Sequence, residues 1–127
     1  MTRIIIECVA PDKMRLEAYR KVGFGDWFLD EAGDIHIPIA GGDVWGDDEA
    51  FLIALHELIE AFLCENQGVS QVAVDAFDMS FAGDGEPGDA PDAPYRKQHR
   101  FAALIDHLIA HELGMQDYGR VDWEPRE

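Results

Sequence analysis

Two side chains that can bind a metal ion lie four residues apart in this sequence, within the segment His56-Glu57-Leu58-Ile59-Glu60. Residues four apart on an α-helix lie on the same face, so His56 and Glu60 can reach one ion together. Imidazole nitrogen and carboxylate oxygen are both ordinary zinc ligands. Glu57 follows His56 directly, where a carboxylate can act as a general base on water held by the ion. The segment therefore predicts a metal site with hydrolytic chemistry.

A catalytic zinc site needs a third protein ligand, which must come from another part of the chain. His99 is the first candidate because it lies at the edge of the apolar face of the last predicted helix. Asp75 and Asp78 come next, since residues three apart are neighbours on a helix surface. Cys64 follows Glu60 by four residues, but a buried, reduced thiol is its expected state. An open fourth position would let an activated water attack an amide, ester or phosphoryl centre.

A carboxylate-only site is an alternative. Glu57 and Glu60, followed by Asp75 and Asp78, form two pairs with the same spacing on successive predicted helices. This arrangement resembles the E-x-x-E and E-x-x-D pairs of the MazG-like nucleotide pyrophosphatases, which bind magnesium and cleave nucleoside triphosphates. Magnesium favours such oxygen ligands. The resemblance implies a magnesium-dependent pyrophosphatase, with the basic side chains of the last helix in contact with phosphates.

The chain is strongly acidic, with a net charge of −16 from 26 acidic and 10 basic residues among 127. Such a surface repels nucleic acid, so we expect no nucleic-acid partner. It leaves open a third function, that of a non-catalytic acidic protein that binds or inhibits another protein. No run of about 18 apolar residues occurs, and no signal peptide is recognised, so a cytoplasmic protein without a membrane span is expected.

The elements that must position these side chains begin with a predicted sheet. Arg3–Val9 contains three consecutive isoleucines and is predicted to be a strand. Two further apolar segments, Trp27–Leu29 and Ile35–Ile39, flank a loop containing Gly and Asp and predict a β-hairpin. Pro38 cannot donate a hydrogen bond to a neighbouring strand, so the second strand of the hairpin is predicted to lie at an edge.

Three helices are predicted to follow the sheet. The first begins at Asp47 as its N-cap and ends before Gly68, which places both proposed ligands at the rim of its apolar face. Ser70 is predicted to cap a shorter second helix. A loop rich in Gly, Pro and Asp, residues 83–94, then leads to the last helix, Tyr95–Leu113.

Three further stretches of the sequence are distinctive in combination: Ala54-Leu-His-Glu-Leu-Ile-Glu-Ala61, Val74-Asp-Ala-Phe-Asp78, and Glu86-Pro-Gly-Asp89 followed by Ala93-Pro-Tyr-Arg-Lys-Gln-His99. In these segments the chain resembles a family of small, uncharacterised proteins encoded by tailed phages and prophages. The resemblance extends over about half of the chain, from the first predicted helix to the last. The resemblance implies a phage origin and a location in the host cytoplasm, where a host protein is a natural partner for an acidic inhibitor.

A narrower similarity connects His56, Glu57 and the spacing to Glu60 with the H-E-x-x-H helix of zinc metalloproteases, with Glu in place of the second His. In those enzymes a strand before the metal helix lines the cleft. The similarity therefore implies a zincin-like metal helix, with Ile35–Ile39 as the strand that lines the site.

These observations lead to one set of predictions. We predict an α+β fold in a single domain, residues 1–127, with a small N-terminal antiparallel sheet packed with three helices. The predicted function is that of a phage-encoded, zinc-dependent hydrolase-like protein, with magnesium as the alternative cofactor. The predicted site residues are the ligands His56, Glu60 and His99, the further candidate ligands Asp75 and Asp78, and the general base Glu57.

Overall fold

The computed structural model describes residues 3–41, 46–115 and 118. Within these residues the fold has three strands and three α-helices: β1 (Ile4–Val9), β2 (Phe28–Leu29), β3 (Ile35–Ala40), α1 (Asp47–Gln67), α2 (Gln71–Ser80) and α3 (Arg96–Glu112). Short 3-10 turns lie in the connections, at Pro11–Lys13, Glu17–Tyr19 and Pro87–Asp89. The predicted α+β class is confirmed.

The sheet is mixed, with the strand order β1–β3–β2. β2 and β3 pair antiparallel, as the hairpin prediction required. β1, however, runs parallel to β3, with Ile4 opposite Ile35, so the prediction of an antiparallel sheet was wrong for this strand. Parallel pairing requires a crossover connection of a dozen or more residues, and the segment 10–34 between these strands is long enough to provide one.

Pro38 lies in the central strand of the sheet, so the prediction of an edge strand was also wrong. Alternate residues of β3 direct their backbone groups to opposite neighbours. The nitrogen of Pro38 therefore faces the same side as that of Ala40, whose N–H donates to the carbonyl of Phe24. On that side β2 pairs only with the first two residues of β3. The missing N–H of Pro38 therefore interrupts the ladder just beyond β2. The Pro38 carbonyl still accepts a hydrogen bond from the N–H of Asp26, and the pairing resumes with Gly25 opposite Ile39.

α1 covers the face of the sheet that carries the three buried isoleucines of β3. Its buried side is built largely of small residues, including Ala54, Ala61 and Cys64, which allow the helix to approach its neighbours closely. Phe51 and Phe62 point outward and are 53% and 55% exposed. The largest apolar side chains of α1 therefore lie on the side of the helix that faces away from the core.

α3 packs against α1 and runs antiparallel to it. The Gln98 side chain, at the start of α3, donates a hydrogen bond of 2.7 Å to Gln67, at the end of α1. Two predicted helix ends are confirmed: Gly68 ends α1 with φ 78°, and the Ser70 hydroxyl accepts from the N–H of Ala73. The prediction of Asp47 as an N-cap was wrong, because Gly46 holds that position and Asp47 is the first residue of α1. Among the described helices, none has the length and apolar character needed to span a membrane.

Candidate metal centre

Three potential metal ligands meet between α1 and α3. His56 and Glu60 lie one turn apart on α1, and His99 lies in the first turn of α3. The Nε2 atom of His56 is 3.2 Å from Oε2 of Glu60 and 3.1 Å from Nδ1 of His99, and the last two atoms are 3.1 Å apart. Over residues 3–41, 46–115 and 118, this is the group whose ligand atoms converge closely enough to hold one ion.

The triangle formed by these three atoms has the dimensions of a zinc site. Zinc bonds to nitrogen and oxygen are about 2.0–2.1 Å long, so neighbouring ligands of a tetrahedral ion lie roughly 3.3–3.4 Å apart. The observed edges of 3.1–3.2 Å differ from that spacing by only a few tenths of an ångström. Small side-chain adjustments would therefore be enough to accommodate an ion.

Each of the three ligands is also held by a second group. The Nδ1 atom of His56 lies 2.7 Å from the Asp106 carboxylate, and Nε2 of His99 lies 3.5 Å from the Asp89 carboxylate. The indole N–H of Trp27 donates to Oε1 of Glu60 over 3.1 Å. Carboxylates that bind the far ring nitrogen of a histidine fix its tautomer and orientation in metal sites.

These contacts favour a positive charge between the side chains of His56, Glu60 and His99. If Nδ1 of His56 donates to Asp106 and Nε2 of His99 donates to Asp89, the two facing ring nitrogens have only lone pairs. They then converge with a carboxylate oxygen of Glu60, so three acceptors face one another without a donor between them. Either additional protons or a metal ion can satisfy such a group.

The pKa values of these three side chains also indicate that positive charge is favoured here. Burial would lower the pKa of His99, but the carboxylates of Asp89 and Glu60 outweigh it and raise the pKa to about 9. Burial opposes the charged form of His56 as well, yet hydrogen bonds to Asp106 and Glu60 raise its pKa well above the usual value. Burial would raise the pKa of Glu60, but both imidazoles hold it at about 2. The Glu60 carboxylate is therefore ionised, and both imidazoles next to it favour the protonated form.

The group opens into a cavity of about 630 Å³. Glu57 lines this cavity beside the three ligands. Burial and the negative charge of Glu60 raise the pKa of Glu57 well above the usual value of a glutamate, although His56 acts in the opposite direction. A carboxyl group with a raised pKa that lines a cavity beside a candidate metal site can act as a general acid or base.

Two glycines allow the backbone to approach these side chains closely. A Cβ atom on Gly88 would lie 2.4 Å from Cγ of His99, so the backbone of the Pro87–Asp89 turn lies directly against the imidazole ring. A Cβ atom on Gly25 would lie 2.7 Å from Cγ of Glu57. Both positions require the absence of a side chain, because contacts this short do not occur between real carbon atoms.

The structure does not bring Asp75 or Asp78 into the group. Both carboxylate oxygens of Asp75 accept hydrogen bonds from Arg15. Asp78 lines the cavity, but its two oxygens accept from the hydroxyl groups of Tyr19 and Tyr95. The geometry therefore assigns them to other partners and gives no support to their role as ligands.

Cys64 is fully buried in the core. Burial, together with the charge of Glu60, raises the pKa of its thiol to about 12, so the thiol is protonated and is not a metal ligand in this state. The expectation of a buried, reduced cysteine agrees with this position.

The partners of the ligands were not predicted from the sequence. Asp106 lies seven residues after His99, which places both on one face of α3, and this spacing was the available signal. The contacts of Trp27 and Asp89 depend on the tertiary fold, so no local spacing in the sequence predicts them. The strand expected to line the cleft, Ile35–Ile39, does not do so; residues 23–27 line the cavity instead.

Comparison with known proteins gave no match among family models, curated proteins or solved structures. The resemblances to phage proteins, MazG-like enzymes and zinc metalloproteases therefore stay predictions. The geometry and chemistry of the metal centre are the basis on which a function can be assigned.

Proposed function

We propose that this protein binds a zinc ion through His56, Glu60 and His99 and acts as a zinc-dependent hydrolase. The observation that carries the proposal is the triangle of three ligand atoms, 3.1–3.2 Å apart, with a second group holding each ligand. Two imidazoles and one carboxylate form the ligand set of many catalytic zinc sites, which keep a fourth position for water or substrate.

Glu57 is the proposed general base. It lines the cavity next to the ligands without being one of them. A zinc ion lowers the pKa of its bound water toward about 7, and a nearby carboxylate can then accept the proton. Burial and the charge of Glu60 raise the pKa of Glu57 above the usual value of a glutamate, which makes its carboxylate a stronger proton acceptor.

The nature of the ligands and the cavity favours this reaction over nucleotide hydrolysis. Imidazole ligands suit zinc better than magnesium, which prefers oxygen. A carboxylate-only site needs Asp75 and Asp78, which are bound to other side chains. The described residues that line the cavity include several carboxylates but no lysine or arginine to bind phosphates. A neutral or cationic substrate is therefore more compatible with the site than a nucleoside triphosphate.

The competing interpretation is a cluster of ion pairs that contains protons and no metal. Protonated His56 and His99 could neutralise Glu60 and Asp106 in the same positions. Such a cluster would serve stability or a non-catalytic binding function. It has no use for an open coordination position beside Glu57, whereas a hydrolase needs both.

Metal analysis of protein purified without chelator and without a histidine tag separates these interpretations. We expect one zinc per chain after loading and dialysis, and loss of at least 90% of it in His99→Ala. His111→Ala is the matched control, because His111 is an exposed histidine on the same helix and lies outside the group. Equal metal content in all three proteins would refute the site.

Hydrolytic activity is then tested with zinc-loaded protein on neutral and cationic peptide and ester substrates, with Glu57→Gln as the inactive variant. Zinc binding without hydrolysis of any of them would leave the metal site in place and refute the hydrolase role.

A further inference from the structure

One part of the cavity beside the metal group is lined by aromatic side chains around a carboxylate. Tyr19 and Tyr95 line it and hold the Asp78 carboxylate between their hydroxyl groups. Trp27 lines the cavity as well and packs in the same core cluster as Tyr95. Each of these four residues is at most 8% exposed. We call them the tyrosine recess.

The tyrosine recess adjoins the proposed metal ligands directly. The indole N–H of Trp27 donates to Oε1 of Glu60 over 3.1 Å. The Tyr95 ring meets the His99 imidazole edge to face, with 6.1 Å between the ring centroids. A chemical group bound in the recess would therefore lie next to the metal group.

The side-chain hydrogen-bond donors of the recess are already in use. The hydroxyl groups of Tyr19 and Tyr95 donate to the two oxygens of Asp78, and the Trp27 N–H donates to Glu60. A phenol that has donated its one hydrogen can only accept further hydrogen bonds, and an ionised carboxylate is always an acceptor. The recess therefore offers a ligand acceptor atoms and aromatic faces, and these side chains have no donor left for an anion or a carbonyl oxygen.

The recess is also negatively charged. Burial raises the pKa of Asp78 to about 6, although hydrogen bonds from the two tyrosines act in the opposite direction, so its carboxylate is ionised at pH 7 and above. The charges that contribute most to this shift are those of Glu60 and Asp75, which are both negative. Arg15 binds Asp26 and Asp75 with its guanidinium group and is not among the residues that line the cavity. A cationic ligand would therefore be attracted to this part of the cavity.

The cavity contains a further buried acceptor without a hydrogen bond. Asp106 is 2% exposed and lines the cavity, and its Oδ2 atom binds His56. Its Oδ1 atom accepts no hydrogen bond from the described residues. Nδ1 of His107 is 2.7 Å away, but its hydrogen points to the carbonyl oxygen of Ala103, 2.6 Å from the same nitrogen. Buried acceptors of this kind normally have a donor, so a ligand that brings N–H groups would complete the cavity.

We propose that the tyrosine recess binds an ammonium group of the substrate, so that the enzyme hydrolyses amides or esters with a free amine next to the scissile carbonyl group. The proposal rests on the proposed hydrolase function, which brings that carbonyl group to the zinc ion. An ammonium group supplies a positive charge and three donors, which match the Asp78 carboxylate and the two phenol oxygens. The faces of tyrosine and tryptophan rings attract cations as well.

The ammonium group takes no part in the bond changes of this reaction. Water adds to the carbonyl carbon, and the bond from that carbon to the leaving nitrogen or oxygen breaks. The leaving group takes one proton of the water, and the new carboxyl group keeps the oxygen. The recess therefore acts by selecting and orienting the substrate.

Calorimetric titration of the full chain with two matched probes tests the proposal. L-leucine amide carries an ammonium group at pH 7, whereas 4-methylpentanamide has the same carbon skeleton and amide group without the amine. We expect wild-type protein to bind L-leucine amide at least tenfold more tightly. Asp78→Asn should reduce this preference to less than threefold, because the recess loses its charge. Asp92→Asn is the matched control: it makes the same chemical change at an exposed residue outside the cavity and should keep the preference.

Equal affinity of the wild-type protein for the two probes, or no binding of either at about 20 mM, would overturn the proposal. So would a folded Asp78→Asn protein that keeps the full preference. The comparison of the two probes on wild-type protein needs no variant, so it decides the question even if Asp78→Asn folds poorly.

The titrations are made on metal-free and on zinc-loaded protein. The metal-free protein excludes direct binding of the amine to zinc, and the preference should be present there too. Loss of zinc binding would refute the metal centre and the hydrolase function, whereas loss of the ammonium preference would refute this inference alone. The two failures are therefore distinguishable.

Discussion

Replacing Gly88 with alanine should disrupt zinc binding without removing any ligand. The new Cβ atom would lie 2.4 Å from Cγ, 2.6 Å from Nδ1 and 2.8 Å from Cδ2 of His99. Ordinary contacts between such atoms begin near 3.4 Å, so the ring and the turn must separate by about 1 Å. Metal sites tolerate deviations of only about 0.2 Å in ligand distance. The Nδ1 atom of His99 should therefore leave its place in the triangle.

The magnitude follows from the loss of a well-positioned ligand. Changes that disturb the outer partners of metal ligands typically cost 10–100-fold in affinity. Here the ligand itself is displaced and its neighbour Asp89 is in the same turn. We therefore expect zinc affinity to fall by about 100-fold, or about 2.7 kcal/mol. The same clash should lower the free energy of unfolding of the metal-free protein by about 1–3 kcal/mol, as overpacking does in other cores.

The assay is a competition titration of zinc against a chromophoric chelator, with circular dichroism to confirm that the variant is folded. Gly83→Ala is the matched control, because it makes the same chemical change in the same connection. Its Cβ atom would meet only the far end of the Phe81 ring, which can rotate away. A folded Gly88→Ala protein with the zinc affinity of wild type would show that His99 is not a ligand.

Three further predictions concern the same site. Glu57→Gln should leave zinc affinity within about threefold of wild type and lower the hydrolysis rate by about 10²–10⁴-fold, because a general base is lost while the ligands stay; a large loss of zinc would contradict this role. Asp106→Asn should weaken zinc binding about 10–100-fold in the chelator titration, since His56 loses the carboxylate that orients it; an unchanged affinity would make that contact incidental. Because the pKa of His99 is about 9 without metal and the pKa of His56 is raised as well, zinc must displace protons from both ligands at neutral pH, so apparent affinity should rise at least tenfold per pH unit between about pH 7 and 8.5; a flat profile would contradict this competition.

The convergence of His56, Glu60 and His99 could be predicted from the sequence because its signals are local. The four-residue spacing of His56 and Glu60 determines that both side chains leave α1 on one face, whatever the tertiary fold. His99 was selected because it lies at the edge of an apolar face, and a helix must bury that face somewhere. Asp75 and Asp78 satisfied the same spacing rule, but their partners Arg15, Tyr19 and Tyr95 come from distant parts of the chain.

The features that were wrong or missed depend on long-range packing. Strand orientation cannot be deduced from the isoleucines of β1, because parallel and antiparallel neighbours use the same side chains. The size of the apolar residues of α1 does not indicate which side of the helix faces the core. Close helix packing selected the small residues instead and left Phe51 and Phe62 outside.

Zinc K-edge X-ray absorption of the zinc-loaded protein tests the central claim most directly. The geometry of His56, Glu60 and His99 predicts one zinc per chain with four nitrogen or oxygen ligands at about 2.0–2.1 Å, and with the scattering pattern of two imidazoles. Sulfur at about 2.3 Å would place the ion on a cysteine, and a spectrum of hexahydrated zinc would show that the ion is not bound by the protein. Either result would contradict the assignment of these three residues as a metal centre.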